Sequence, residues 1–211
     1  MRVLFEDLSS LTKEDGFDLK ESDREERIRR VLSPDRYRHC VGVANLAERL
    51  ATFHGVDPDR LRLAGLLHDA AKELTPEEME RAFREYDETG FEEMADLPKL
   101  WHAPVSAILA QRDYGVTDRE VLEAIRHHPT GHPSFSTVGD ILFVADYCGP
   151  GRPVEGGDEI ARQAETDLDG AVLEVIDRKI DYLRKRGRKI HPGILGYQRE
   201  VRERRRRQGT G

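Results

Sequence analysis

The stretch LAGLLHDAAKEL, residues 63–74, decides how the chain is read. Leu63, Ala64, Leu66 and Leu67 recur at helical spacing and form the buried face of a helix that Pro58 opens. His68 and Asp69 stand at the end of that face, and Lys72 follows them. An imidazole and a carboxylate placed there are costly unless they are paired, hydrogen-bonded or bound to a metal. Alone, the dipeptide reads as an ordinary solvated helix end, because so short a match arises by accident. Its weight depends on the partners that the rest of the chain supplies.

Working outward, Asp35 to His54 is an amphipathic helix with His39, Val43, Leu46 and Leu50 at spacings of three and four, and Gly55 as its stop. Before it, Ser22 caps a shorter helix that Ser33-Pro34 ends. After it, Thr75-Pro76-Glu77-Glu78 starts a helix to about Tyr86, and Asp87–Pro98 reads as a loop or short helix. Further helices are predicted over about 103–114, from Thr117 or Asp118 to His128, over Thr137–Cys148 and, last, over about Asp167–Arg186. PTGHPS and GPGRPVEGG read as loops. No strand alternation, hairpin signal or internal repeat is present in the sequence. The expectation is an all-α bundle of about seven to nine helices. It occupies 22–197 as a single domain, with an arm or extra helix over 1–21 and a basic, disordered tail over 198–211.

The chain has 211 residues, 37% hydrophobic and 36% charged, enough for one good-sized core under a heavily charged surface. The net charge of −7 argues against a general nucleic-acid binder. It also repels any polyphosphate, so such a substrate requires a local positive centre, which a metal provides. Cys40 and Cys148 lack CxxC spacing and make no disulfide framework, which fits a reducing cytoplasm. No apolar stretch approaches the length of a membrane span, and MRVLFEDLSSLTKEDG lacks the basic and apolar regions of a signal peptide. A cytoplasmic protein without membrane contact is therefore expected.

Helical geometry sorts the eight histidines. His39 lines up with Val43 and Leu46, His68 with Ala64 and Leu61, and His102 with Val105 and Leu109. Neighbours on a helix point about 100° apart, so His128, in line with Val121, Ala124 and Ile125, faces inward while His127 faces out. Asp146 follows Leu142 and Phe143 on an apolar face. Four histidines and two aspartates, His39, His68, Asp69, His102, His128 and Asp146, thus point inward from five helices. Any one of them is more often a satisfied structural residue than a ligand. Together they form a donor set suited to Fe, Mn, Co or Ni. Six protein ligands exceed what one catalytic metal with open positions needs, which favours two metals with Asp69 between them.

This series, with RYRHCVGVANLAERLA, WHAPVSAILA, VLEAIRHHPTG, ILFVADYCGPGR and the late KIHPG, resembles the HD-domain metal-dependent phosphohydrolases. It is most similar to their YqeK-type family of symmetrical diadenosine tetraphosphate (Ap4A) hydrolases, over about 33–193. The resemblance implies an HD-domain fold, a di-iron-type centre, cleavage of Ap4A into two ADP, and nucleoside diphosphate bound beside the metals. It implies the six residues above as ligands, with Asp69 bridging. It also implies Lys72, Thr130 and Arg152 in phosphate handling, with Lys72, Asp69 and Arg152 serving the reaction itself. His132 stands near a position where a basic residue is common in that family and is included among the substrate contacts. Pro129 departs from a frequent threonine and removes a hydroxyl and an N–H donor. Without the resemblance, Lys72 reads equally well as a helix-end charge.

Other readings stay open at this point. The same metal chemistry serves dNTPs, (p)ppGpp or nucleoside monophosphates in other HD proteins. A non-catalytic nucleotide-sensing module is the alternative of a different class, and the intact ligand series argues against it. Trp101 is assigned to core packing ahead of adenine stacking. His54 is assigned to a helix-end contact, His191 to a structural role, and RERRRR to a solvated charge run. A homodimer is among the expected assemblies, and nucleic acid is not an expected partner.

Overall fold

The structure, a computed structural model, describes residues 21–150 and 154–209. The arm expected over 1–20 and Arg152 lie outside the described residues. Among the described residues eleven α-helices follow one another: α1 Glu21–Val31, α2 Pro34–Phe53, α3 Pro58–Leu67, α4 Pro76–Tyr86, α5 Glu88–Met94, α6 His102–Tyr114, α7 Arg119–His127, α8 Thr137–Cys148, α9 Gly157–Ala164, α10 Leu168–Lys185 and α11 Pro192–Gly209. A 3-10 turn, Pro98–Leu100, leads into α6. No strand occurs among the described residues, and none of their helices is long and apolar enough to cross a membrane.

Local chemistry starts several of these helices where the sequence predicts. Proline opens α2, α3 and α4, at a position whose N–H has no helical partner. The Ser33 hydroxyl accepts from the Arg36 N–H, and Thr75 and Glu78 close a reciprocal capping box. The Asp118 carboxylate accepts from the Glu120 and Val121 N–H groups. Gly115, at φ 65°, ends α6 in the left-handed region.

The core forms around α8, whose residues Val138 to Asp146 are all buried. It packs against α2, α3, α7, α9 and α10. Helices α2 and α3 approach closely because Gly65 faces Ala44; a Cβ on Gly65 would lie 2.5 Å from the Ala44 Cα. This arrangement brings the ends of α3, α7 and α8 and the start of α6 towards one point beside α2.

Three departures from the sequence reading have physical causes. The helix count exceeds the expected range, because α5, α9 and α11 are separate helices. Helix α3 stops at Leu67, so His68 caps it and Asp69 to Lys72 lie in the succeeding turns. The tail expected to be loose from 198 belongs to α11 as far as Gly209. Its apolar positions Ile194, Tyr197 and Val201 are buried at helical spacing, and the intervening basic residues hide that stripe in the sequence. Those basic residues are themselves held: Arg202 by Asp177, Arg205 by Asp167, and Arg204 by Asp140 and Asp169.

Candidate metal centre

His39 projects from α2, His68 caps α3, Asp69 lies in the turn after it, His102 begins α6, His128 caps α7, and Asp146 lies near the end of α8. All six are buried. The turn carrying Asp69 is tied on two sides. The Ala71 N–H donates to the Ser106 hydroxyl at 3.0 Å, and the Ser33 N–H donates to Glu73 Oε2 at 2.6 Å.

Each histidine ring is oriented by its own backbone bond. Nδ1–H donates to a carbonyl in all four: His39 to Pro150 at 3.0 Å, His68 to Gly65 at 2.7 Å, His102 to Lys99 at 2.9 Å and His128 to Ile125 at 2.8 Å. That bond sets the tautomer and leaves Nε2 with a lone pair aimed into the cluster. The two Asp69 oxygens face different ring pairs. Oδ2 lies 3.9 Å from His39 Nε2 and 3.6 Å from His68 Nε2; Oδ1 lies 3.4 Å from His102 Nε2 and 3.6 Å from His128 Nε2. Asp146 Oδ1 is 3.4 Å from His39 Nε2 and 3.5 Å from His68 Nε2.

Several of these atoms are acceptors facing acceptors. His39 Nε2, His68 Nε2, Asp69 Oδ1 and Asp146 Oδ1 are buried and form no hydrogen bond within the described structure. Nε2 of His102 and His128 converge to 3.3 Å. Buried lone pairs gathered in this way are unfavourable without a cation among them. Two overlapping groups have the closeness that one ion requires: His39, His68 and Asp146, and His68, Asp69 and His128. The residues present therefore fit divalent metal.

The local electrostatics agree. Burial, then the Lys72 ammonium, pushes the His102 imidazole down to about 4. Burial, then His68, holds His128 well below its ordinary value. Both rings are thus neutral, as metal ligands must be. The His68 imidazole is raised instead: burial opposes its charge, but the Asp69 and Asp146 carboxylates outweigh it. Burial also opposes ionisation of those two carboxylates. The imidazoles around both, with Lys72 beside Asp69, outweigh burial and hold them well below the usual range.

Two cations border the cluster. Lys72 Nζ donates to His102 Nε2 at 2.8 Å and lies 3.6 Å from Asp69 Oδ1. Arg36 Nη1 donates to Asp69 Oδ2 at 2.7 Å. The sequence reading did not single out Arg36. It lies one turn before His39, and the periodicity that found His39 also points to it.

A cleft of about 890 Å3 adjoins the cluster through the chain neighbours of three of its members. Pro98, Lys99 and Leu100 precede His102, Pro129 and Thr130 follow His128, and Tyr147 follows Asp146. The rest of the wall comes largely from α10 and the segment after it, with Arg178, Lys179, Tyr182, Arg188 and Lys189. Lys179 Nζ donates to the Pro129 carbonyl at 3.2 Å and lies 4.2 Å from the Phe143 ring centre. No short motif marks this basic wall.

The remaining expectations fall on either side of the site. Thr130 is buried at the cleft wall, with its hydroxyl donating to the His127 carbonyl at 3.4 Å. His132 is not part of that wall; it stacks on His127 at 4.6 Å and shares a hydrogen bond with the Ser134 hydroxyl. Trp101 packs in the core, donating Nε1–H to the Met94 carbonyl at 2.8 Å. His54 reaches the Ala164 carbonyl at 2.6 Å and ties the end of α2 to α9. His191 accepts from the Gly193 N–H at the start of α11 and also lines the cleft.

Comparison with known proteins meets this geometry from outside. The HD domain family model matches residues 36–151, which contain all six clustered residues. The symmetrical bis(5'-nucleosyl)-tetraphosphatase of Bacillus subtilis is 37% identical over 165 residues, covering 78% of this chain and 88% of the relative. The enzyme of the same name from Staphylococcus aureus is 33% identical, covering 76% and 84%. A solved structure from Clostridium acetobutylicum, described as a predicted HD superfamily hydrolase involved in NAD metabolism, superposes with a TM-score of 0.84 at 31% identity. It covers 89% of this chain and 100% of its own. On these matches the chain belongs to the HD-domain family, among the relatives of the symmetrical bis(5'-nucleosyl)-tetraphosphatases.

Proposed function

We propose that this protein hydrolyses diadenosine tetraphosphate into two ADP at a dinuclear metal centre held by His39, His68, Asp69, His102, His128 and Asp146. The observation that carries the reading is the set of buried acceptors with no hydrogen-bond partner, on rings already fixed by their Nδ1–H bonds. The two Asp69 oxygens face separate histidine pairs, which supports a bridging carboxylate. Iron is the proposed metal, with Mn, Co and Ni compatible with the same nitrogen and oxygen donors. Both cysteines are free thiols, in keeping with a reducing cytoplasm.

When bound, a pair of divalent ions polarises phosphoryl oxygens and brings the ionisation of water near neutrality. The chain's own residues bind and orient. Lys72, partly buried beside Asp69, donates to a phosphoryl oxygen and offsets charge that builds on it. The Thr130 hydroxyl and the basic wall of the cleft hold the remaining phosphates. Arg152 is assigned to the same task on its ILFVADYCGPGR match. Addition of water across the central P–O–P bridge returns one ADP from each half. The cleft volume lies towards the upper end of the roughly 300–1,000 Å3 of small-molecule sites, which supports a dinucleotide over a mononucleotide.

Metal analysis of protein purified without chelators tests the assignment. Two ions per chain are expected, and Asp69→Ala loses metal together with more than about 100-fold of the activity, since even outer partners of a ligand change affinity or activity 10–100-fold. An Asp69→Ala protein that keeps its metal and its activity contradicts the assignment.

A further inference from the structure

Tyr182 lines the cleft from α10. It lies one turn beyond Lys179 on α10, and Lys179 reaches the Pro129 carbonyl next to His128. Tyr182 is 48% exposed, just beyond Ile180, the last buried residue of α10. Two guanidinium groups attend the ring: the Arg186 Cζ lies 4.8 Å from its centre and the Arg188 Cζ 6.0 Å. The other tyrosine of the cleft wall, Tyr147, is only partly exposed and adjoins Asp146, at the inner end.

An exposed ring held between a rigid helix and two cations is a stacking platform. Nucleobases stack on such rings whatever their sequence, and a tyrosine loses little conformational freedom in the process. The dinucleoside reading, on which this inference rests, places one ADP half on each side of the scissile bridge. One base must then lie away from the metals, towards the outer cleft. We propose that Tyr182, with Arg188 beside its ring, stacks this outer base and thereby sets the preference for dinucleoside polyphosphates over nucleotides with a single base.

Steady-state kinetics of the metal-loaded full chain separate this proposal from the reading beneath it. Wild-type protein is assayed first for conversion of Ap4A to ADP; absence of that conversion overturns both. With it established, Tyr182→Ala raises KM for Ap4A about tenfold and leaves kcat within about twofold, the size expected for losing one base–aromatic stack. Tyr182→Phe keeps the ring and the wild-type KM. Adenosine 5'-tetraphosphate, which lacks the second nucleoside, inhibits wild-type and Tyr182→Ala protein with the same Ki. An unchanged KM in Tyr182→Ala overturns the proposal while leaving the reaction in place. So does equal weakening of Ap4A and adenosine tetraphosphate, which marks general damage to the cleft.

Discussion

At the scale of residues, the site is organised by what each ring gives away. Four imidazoles spend their Nδ1–H groups on backbone carbonyls, which leaves four Nε2 lone pairs with no donor among the described residues except Lys72, at His102. Lys72 therefore stands at the border between ligand and substrate. Its ammonium already neutralises part of the Asp69 charge, and it is more exposed than the six clustered residues. Lys72→Ala is expected to lower kcat roughly 10- to 100-fold, the range for losing one donor to developing charge, while bound metal stays at the wild-type level. Metal lost in that variant would move Lys72 from substrate contact to support of the centre. Five of the six clustered residues were legible because each continues a helical line of apolar residues, within the helix or at its cap, and Asp69 was legible as the neighbour of His68. Arg36 lay within reach of the same periodicity. Lys179 and Tyr182 did not, since their meaning comes from α10 folding against the loop after His128, a contact between residues about 50 positions apart.

At the scale of elements, α11 supports the loop that follows His128. Gly131 takes φ 66°, and a Cβ there would lie 2.1 Å from the Tyr197 ring. Tyr197 donates its hydroxyl to Asp140 Oδ1 at 2.5 Å, and Arg204 reaches Asp140 Oδ2 at 2.8 Å. Burial, opposed by Arg204, pushes the Asp140 carboxyl up from 3.8 to about 6. A raised carboxyl favours folding when protonated. Its contribution is present below the unfolded value and is lost as pH rises through about 6. Relative to Asp140→Asn, which does not titrate, wild-type protein should lose on the order of 3 kcal/mol between about pH 4 and 7. Urea unfolding of both proteins across that range checks the sign; parallel stability curves would contradict it. The helices α2, α3, α4, α7 and α8 were legible from caps, prolines and apolar spacing. Helix α11 was not, because its buried stripe runs through a sequence dense in arginine, and Arg202, Arg204 and Arg205 gain partners from α10 and from Asp140 and Asp167.

At the scale of the whole molecule, an acidic chain of net charge −7 carries one basic wall. Five of its cleft side chains are lysine or arginine, against a single carboxylate, Asp96, so the local field opposes the global one where a polyphosphate would lie. The all-helical HD fold sets the cluster at the meeting of helix ends with the cleft beside it; on the proposed reading the cleft's cations run along the phosphates and its volume takes two nucleosides. The most direct test resolves the products of Ap4A incubated with the metal-loaded protein. The account predicts ADP as the sole nucleotide product. AMP together with ATP, or no turnover by metal-replete protein, would contradict it.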